Sequence, residues 1–251
     1  MSDHIKLERK GAVLCLTMAR PEKKNALTAA MYEAMVAAIT AADADAGTRA
    51  IVIAGSGGVF TAGNDIADFL SAATAPGSVA QSPQAFITTI ATCVTPLVAA
   101  IDGLAIGVGT TLMLHCDLVY ASPGAKFRMP FVDLALVPEA ASSLLLPQRI
   151  GMAKASEFLM LGEGFDAVEA LRLGLVNAIV EPELLMAHAC AMAEKLAAKP
   201  AAALAATRRL LRGDVQQVAA RIETEMQAFR AAMQSPEARR IFSAFLNKSK
   251  G

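Results

Sequence analysis

Apolar and polar positions alternate over residues 5–16 and then change to a helical spacing. The alternation runs on both sides of Lys10-Gly11, which predicts an N-terminal hairpin. Thr28 has the side chain of a helix N-cap, and the helix it starts should end before Gly47. The apolar residues of this helix are Met31, Met35 and Ile39.

Short apolar runs, each followed by glycine, come next. Ala50 to Ala54 reads as a buried strand that stops at Gly55-Ser-Gly-Gly58, and Leu97 to Ile101 is followed by the segment Gly103 to Gly109. A third and weaker unit begins at Leu118-Val-Tyr120. This recurrence of strand, glycine-rich turn and helix predicts an α/β fold of stacked β-β-α units with a parallel sheet.

From Met152 onward the pattern is helical, apart from Leu175 to Val180, with Pro182 and Pro200 at expected helix starts. The chain has 251 residues, of which 55% are hydrophobic and 18% charged, enough to bury a large core. No linker interrupts it. We divide it into a core, 1–195, and a C-terminal helical region, 196–251, within one structural unit. The apolar C-terminal helices indicate an oligomer.

Charge and cysteine content exclude several classes of protein. The 23 basic and 23 acidic residues leave no net field to attract nucleic acid or an anionic membrane. Four dispersed cysteines, Cys15, Cys93, Cys116 and Cys190, suit neither a zinc site nor a disulfide framework, so we expect them reduced and buried, and no metal. The N-terminus has no apolar signal region, and the most apolar stretch is too short to span a bilayer, which together predict a cytoplasmic protein.

The two glycine-rich turns are candidates for chemistry. Gly55 to Phe60 and Gly107 to Leu112 both lack the sixth-position glycine of a dinucleotide-binding loop. Each is expected to follow a buried strand and lead into a helix start, where backbone N–H groups have no intrahelical partner and can bind developing negative charge. Either turn alone favours a tight strand-to-helix connection, whereas the two together support an anion site and a structural connection equally.

Three motifs carry a resemblance: Phe60-Thr-Ala-Gly-Asn-Asp-Ile66, Asp102 to Gly109, and Cys116 to Ala121. They resemble the enoyl-CoA hydratase/isomerase (crotonase) superfamily, and further matches extend from Ala19 to Lys248. The resemblance implies a ClpP/crotonase-like spiral of β-β-α repeats, with C-terminal helices that build a homotrimer or a dimer of trimers. It also implies an acyl-CoA thioester substrate, of which coenzyme A is a part, and no separate cofactor.

The resemblance also assigns binding roles. The thioester carbonyl would sit between the backbone N–H groups of Asn64 and Val108, where the family commonly has glycine in place of Val108. Residues carried over for coenzyme A binding are Lys23 or Lys24 near the phosphates, the backbone of Ala62, Asp65 and Ile66 near the adenine, and Lys248 at the phosphates of its own or a neighbouring subunit. Without the resemblance, Asp65 can instead be a helix cap, and each of these lysines can be a solvated surface charge.

The type of reaction can be inferred from the catalytic carboxylates that this sequence lacks and from the one that it retains. Family members that add water use two glutamates, and motif matching puts Thr111 and Phe131 at those positions, neither of which can act as a general base. Glu139 lies in Val137-Pro-Glu-Ala-Ala-Ser-Ser143, which resembles the segment that carries the sole base of peroxisomal-type Δ3,Δ2-enoyl-CoA isomerases. Its apolar flanks predict a raised pKa. Without the resemblance, Glu139 reads as a carboxylate at a helix start.

These features predict an isomerase that moves the double bond of a 3-enoyl-CoA to C2. Glu139 would take the C2 proton and return it to C4, with Thr111, Phe131, Leu134 and Leu136 around the acyl group. Asp133 is either a second acid or a turn carboxylate. The alternatives are hydration or another crotonase-type reaction of an acyl-CoA, and a binding module that has lost catalysis.

Overall fold

The computed structural model describes residues 2–68 and 81–248, the side chains of 245–248 excepted. The sequence also predicts a low-pattern loop from Ser71 to Ser82; residues 71–80 lie outside the described residues, and Gln81 and Ser82 are helical instead. Within the described residues, no helix is long and apolar enough to cross a membrane.

A six-stranded sheet, ordered β1-β2-β3-β4-β6-β9, forms the centre of the fold. β1 and β2 are the predicted hairpin and pair antiparallel, whereas every other neighbouring pair in this sheet is parallel. Because the parallel strands are buried on both faces, they are the continuous apolar runs noted in the sequence. The strands are β1 (Ile5–Lys10), β2 (Val13–Met18), β3 (Ala50–Gly55), β4 (Leu97–Ile101), β6 (Leu118–Ala121) and β9 (Ala178–Ile179).

A three-stranded sheet, ordered β5-β7-β8, lies beside it and completes the β-β-α units. Its strands are β5 (Leu104–Ile106), β7 (Lys126–Arg128) and β8 (Phe165–Asp166). β5 follows β4 after a turn at Gly103, which has a positive φ of 62° and only 2.1 Å between an added Cβ and the carbonyl oxygen of Gly58. Only glycine fits there. The first glycine-rich turn is therefore in direct contact with the segment Gly103 to Gly109.

Helices cover both faces of the main sheet. Alternate residues of β3 and β4 point to opposite sides: Ile51 and Ile53 belong to the same apolar cluster as α1, and Val52 belongs to the cluster with Leu185 of α7. The helices are α1 (Ala29–Ala44), α2 (Gln81–Thr92), α3 (Val108–Thr111), α4 (Ser142–Ile150), α5 (Met152–Met160), α6 (Ala167–Arg172), α7 (Pro182–Ala197), α8 (Ala201–Arg212), α9 (Val215–Met233) and α10 (Pro236–Lys248).

Several local predictions are confirmed by these elements. The Thr28 side chain accepts a hydrogen bond from the Met31 N–H and caps α1, and Pro182 occupies the first turn of α7. Pro200 immediately precedes α8. All four cysteines are buried and free, with Cys15 Sγ 3.6 Å from Cys190 Sγ between β2 and α7. The boundary drawn at residue 195 falls within the last turn of α7.

One expectation about the first glycine turn is wrong. Gly55 to Phe60 does not lead directly into a helix, because the chain first forms a parallel bridge from Thr61 to Ala105, and helical residues begin only at Ile66. The second turn behaves as predicted, with Gly107 as the N-cap of α3. The first turn is thus a strand-to-strand connection that brings residues 61–64 alongside β5.

Candidate active site

Main-chain hydrogen bonds join the two glycine-rich segments. The Thr61 N–H donates to the Leu104 carbonyl at 2.8 Å, and the Ile106 N–H donates to the Thr61 carbonyl at 3.0 Å. The two segments run parallel from this bridge. Asn64 lies three residues beyond Thr61 and Val108 three residues beyond Ala105, so the pairing brings their backbones close together.

Two glycines let these segments approach each other. A Cβ on Gly63 would lie 2.9 Å from the Ile106 carbonyl oxygen, and Gly63 has a φ of 88°. A Cβ on Gly109 would lie 2.5 Å from the Thr61 Cγ2. Any larger side chain would separate the segments.

The Asn64 and Val108 N–H groups have no hydrogen-bond acceptor among the described residues. The residues on either side of Asn64 are hydrogen-bonded to the backbone of Leu27. The Leu27 N–H donates to the Gly63 carbonyl at 2.8 Å, and the Asp65 N–H donates to the Leu27 carbonyl at 2.9 Å. The Asn64 side chain accepts a hydrogen bond of 2.6 Å from the hydroxyl of buried Tyr32. With backbone and side chain both fixed, the free N–H is held in one orientation, as stabilisation of an oxyanion requires.

Asn25 holds the first glycine turn, a role that sequence reasoning missed. Asn25 is fully buried, and its Nδ2 donates to the carbonyls of Ser56 at 2.9 Å and Val59 at 2.7 Å. Its Oδ1 accepts from the Arg20 N–H at 2.7 Å, and its own carbonyl accepts from the Thr61 hydroxyl at 2.7 Å. Its φ is 53°, a conformation that asparagine adopts more readily than most residues. In the sequence, the residue type at this position is the only local sign of the role.

Glu139 is buried and faces α3. Its Oε1 accepts a hydrogen bond of 2.5 Å from the hydroxyl of fully buried Thr111. Burial raises the pKa of Glu139 to about 7, with a smaller contribution in the same direction from the nearby Glu225 carboxylate, while the Thr111 hydrogen bond acts to lower it. Because Val108 and Thr111 lie on the same short helix, the carboxyl group is linked to the segment that carries one of the two free amides.

Glu139 does not cap the helix that follows it, so its reading as a helix-start carboxylate is wrong. α4 begins at Ser142, and Ala140 and Ala141 have φ values of 58° and 55°. The N–H groups at this helix start are bound instead by Glu225 of α9, which accepts from Ala141 at 2.6 Å and from Ser143 at 3.0 Å. The Glu139 carboxyl group is thereby free to face the site.

Three of the four residues expected around the acyl group, all except Thr111, belong to or pack against one apolar cluster. Phe131 and Leu136 are buried in the cluster that contains Val108, and Leu134 packs against it. Asp133 is half-exposed and pairs with Arg128 at 2.9 Å on the surface, which favours a turn carboxylate over a second acid. Within the described part of the chain, no group of three or more metal-ligating side chains is present.

The residues carried over for coenzyme A binding come from three parts of the chain. Lys23 and Lys24 are exposed, and the Ala62 N–H donates to the Lys24 carbonyl at 2.9 Å. Ile66 is half-buried at the start of the helical residues after Asn64. Lys248 ends α10, and its side chain lies outside the described residues.

Asp65 has partners within the protein. Its Oδ2 accepts from Arg20 at 2.7 Å, and its Oδ1 accepts from the N–H groups of Ala67 and Asp68 at 3.0 and 3.3 Å. Partial burial acts to raise the pKa of Asp65, but these hydrogen bonds and the Arg20 charge outweigh it and lower the pKa. The side chain of Asp65 is therefore a helix cap and ion-pair partner, as one of the two readings predicted.

Known proteins resemble this chain over nearly its whole length. The model of the enoyl-CoA hydratase/isomerase family matches residues 8–251. A probable enoyl-CoA hydratase of Rhizobium meliloti is 34% identical, with 97% of this chain and 95% of that protein covered. Enoyl-CoA delta isomerase 2 of Rattus norvegicus is 31% identical, with 98% of this chain and 64% of that protein covered. The structure of Pseudomonas aeruginosa OdaA superposes with a TM-score of 0.92 at 40% identity, covering 97% of this chain and 99% of that one.

Proposed function

Because the chain belongs to the enoyl-CoA hydratase/isomerase family, we propose that it moves the double bond of a 3-enoyl-CoA to C2, with Glu139 as the only catalytic base. At the level of the family, it is a crotonase-type enzyme of enoyl-CoA chemistry. To this family-level statement the proposal adds the direction of the reaction, Glu139 as the base, and the backbone N–H groups of Asn64 and Val108 as donors to the thioester oxygen. It favours isomerisation although most of the similar curated proteins are named hydratases.

One observation carries this proposal: the buried carboxyl group of Glu139, with a pKa of about 7, is hydrogen-bonded to Thr111, one turn after the free Val108 amide. A group with this pKa can both take and return a proton near neutral pH. Hydration by the usual two-carboxylate route would need a second acid. The positions that would supply it hold Thr111 and Phe131, and Asp133 is on the surface.

The proton shift balances with one base. Glu139 takes the proton from C2, and the C–H electrons form a dienolate whose negative charge is on the thioester oxygen. The Asn64 and Val108 N–H groups donate to that oxygen. The dienolate then takes the proton back from Glu139 at C4, which gives the 2-enoyl-CoA and the free carboxylate.

Neighbouring side chains would orient the Glu139 carboxyl group and the Asn64 amide and would exclude water. Thr111 donates to Oε1, which leaves Oε2 to meet the substrate. Tyr32 donates to the Asn64 side chain, and its own pKa is well above the ordinary value, mainly because of burial and secondly because of the Glu139 charge. Tyr32 therefore stays a neutral donor. The apolar residues Phe131, Leu134 and Leu136 would line the acyl group and keep water from the dienolate.

Coenzyme A would lie along the segment from Ala62 to Ile66. The exposed ammonium groups of Lys23 and Lys24 suit phosphates, and the family resemblance adds Lys248. The Asp65 side chain is occupied by Arg20, so only its backbone remains for the adenine. Assembly as a trimer or a dimer of trimers belongs to the same proposal.

The test follows ultraviolet absorbance of the conjugated thioester after a trans-3-enoyl-CoA is mixed with the protein. We expect absorbance to rise, and Glu139→Gln to lower kcat on the order of 10²- to 10⁴-fold. Asp133→Asn is the matched control, because it makes the same chemical change at a surface ion pair and should keep wild-type activity.

A parallel assay starts from a trans-2-enoyl-CoA. Loss of its absorbance, with formation of a 3-hydroxyacyl-CoA, would identify a hydratase. Absence of the rise from 3-enoyl-CoA substrates of several chain lengths would overturn the isomerase proposal. Binding of acyl-CoA with neither reaction would identify a non-catalytic module.

A further inference from the structure

The loop after Glu139 has an unfavourable backbone conformation. Ala140 and Ala141 both have positive φ, 58° and 55°, and both are fully buried. Alanine disfavours this region by roughly 1–2 kcal/mol per residue because its Cβ meets the following carbonyl oxygen. Two such residues in succession persist only where surrounding contacts fix them. Since they join Glu139 to α4, whatever holds them also sets the direction of the Glu139 side chain.

Glu225 binds one end of this loop. It lies on α9 and is 6% exposed. One carboxylate oxygen accepts from the Ala141 N–H at 2.6 Å, and the other accepts from Ser143, from its N–H at 3.0 Å and its hydroxyl at 2.5 Å. All three are hydrogen bonds to an ionised acceptor, the strong class. Together they bind the second alanine and the first turn of α4.

His115 binds the other end. It closes the 3-10 helix Leu112–His115 that follows α3, and its Nε2 lies 2.8 Å from the Ala140 carbonyl oxygen. Burial lowers the pKa of His115 to about 4, with smaller effects from the Arg212 and Arg149 charges. The imidazole is therefore neutral near pH 7, and its Nε2–H donates to the carbonyl. Each of the two alanines thus has one buried side-chain partner.

We propose that Glu225 is a positioning residue for Glu139: through Ala141 and Ser143, and opposite His115, it holds the loop that directs the catalytic carboxyl group into the site. This inference rests on the proposed role of Glu139 as the base. Glu225 touches no reacting atom. Its sequence position, on an amphipathic C-terminal helix far from the active-site motifs, gives no sign of this role.

Glu225 also acts on Glu139 by its charge. Burial acts to raise the pKa of Glu225, and the hydrogen bonds from Ser143 and Ala141 and the Arg221 charge act to lower it, with a net rise. The ionised carboxylate raises the pKa of Glu139 as a like charge. The other titratable groups that face this pair are Tyr32 of α1, Arg221 of α9 and the neutral His115. Removing the Glu225 charge should lower the pKa of Glu139.

The experiment compares Glu225→Gln with Glu223→Gln. The control makes the same change on the same helix at an exposed residue that contacts Gln84 and Gln227. In protein labelled with ¹³C-glutamate, the Glu139 carboxyl resonance is assigned by its loss in Glu139→Gln and titrated by NMR. We expect the Glu139 midpoint to shift to lower pH in Glu225→Gln and to stay unchanged in Glu223→Gln.

Kinetics provide the second measurement. In Glu225→Gln we expect kcat to fall about 10- to 100-fold, with KM close to wild type, because the base is misdirected while the acyl-CoA contacts remain. Ser143→Ala removes only one of the three donors, so it should fold normally and lower kcat by less. It also provides the test if Glu225→Gln does not fold.

The results separate this inference from the proposed function. Wild-type kcat in both Glu225→Gln and Ser143→Ala would overturn the inference. A Glu225→Gln protein with a lower Tm, but with kcat per folded molecule and the Glu139 midpoint both unchanged, would also overturn it. If the wild-type protein isomerises no 3-enoyl-CoA, the proposed function fails, but the NMR titration needs no substrate. An unshifted Glu139 midpoint in that case would overturn the inference too.

Discussion

Asn64 and Val108 are placed by main-chain contacts between two segments, whereas Glu139 is placed by side chains from remote parts of the chain. On the amide side, Thr61 pairs with Leu104 and Ile106, and glycines allow the close approach. On the carboxylate side, Thr111 and Glu225 each make a specific hydrogen bond to Glu139 or its loop. The amide side should therefore be sensitive to added atoms, and the carboxylate side to removed functional groups.

Among the substitutions that leave Glu139 in place, the largest effect is expected for Gly63→Ala. Its Cβ would meet the Ile106 carbonyl oxygen at 2.9 Å, at a φ of 88°, and move the Asn64 amide. Loss of one oxyanion donor lowers kcat by about 10²- to 10³-fold, which the 3-enoyl-CoA assay would measure. Gly11→Ala is the control, since Gly11 also has a positive φ but no atom within 4 Å of an added Cβ. Wild-type kcat in folded Gly63→Ala would show that the amide side does not depend on this contact.

The second prediction concerns stability and pH on the carboxylate side. The pKa of Glu139 is raised from 4.5 to about 7 in the folded protein, so its stabilising contribution is full below the unfolded pKa and is lost as pH rises through about 7. Wild type should lose about 2–3 kcal/mol of unfolding free energy between about pH 5 and pH 8 that Glu139→Gln does not lose.

Urea unfolding of both proteins at the two pH values measures this difference. Asp133→Asn, at a surface ion pair, should follow wild type. Parallel pH dependence in wild type and Glu139→Gln would mean that the carboxyl group is not buried in solution.

A smaller effect is expected for Thr111→Val, which keeps the shape of the side chain but removes the hydroxyl. Since the Thr111 hydrogen bond acts to lower the pKa of Glu139, its loss should raise that pKa and move the acid limb of the kcat profile to higher pH. Near neutral pH we expect kcat to fall about tenfold. Thr111→Ser keeps the donor and should resemble wild type. An acid limb that moves to lower pH in Thr111→Val would contradict the assigned direction of the hydrogen bond.

The smallest effect is expected for Val108→Ala. The donor at this position is the backbone N–H, which the substitution retains, so kcat should change by less than about threefold. The comparison with Gly63→Ala in the same assay tests whether geometry or side-chain chemistry matters on the amide side. A loss as large as that of Gly63→Ala, in a protein of unchanged circular dichroism, would show that the Val108 side chain itself shapes the site.

Sequence reasoning predicted the elements whose signals are local. The hairpin, the Thr28 cap and strands β3 and β4 follow from periodicity and capping chemistry over a few residues each. Asn64, Val108 and Glu139 were all assigned by motif resemblance, and the apolar flanks of Glu139 predicted only its raised pKa. Glycine at 63 and 109 was visible in the same motifs, but the close approach that requires it was not.

The remaining parts could not be predicted because no local signal encodes them. Ala140 and Ala141 have no preference for positive φ, and only their burial against His115 and Glu225 explains that conformation. Glu225 reads as an ordinary polar position of a surface helix, because its partners lie in a separate part of the chain. Asn25 was within a motif, but its hydrogen bonds to Ser56 and Val59 depend on tertiary structure.

The contact between Glu225 and Ala141 joins residues 84 positions apart in the chain. During synthesis, it therefore forms much later than contacts between residues that are closer in sequence. The Thr61 to Ala105 pairing can form once the residues up to Ile106 have left the ribosome. The Glu139 loop has to wait until α9 is synthesised. We therefore expect the Asn64 and Val108 amides to be brought together before the Glu139 loop takes its final conformation.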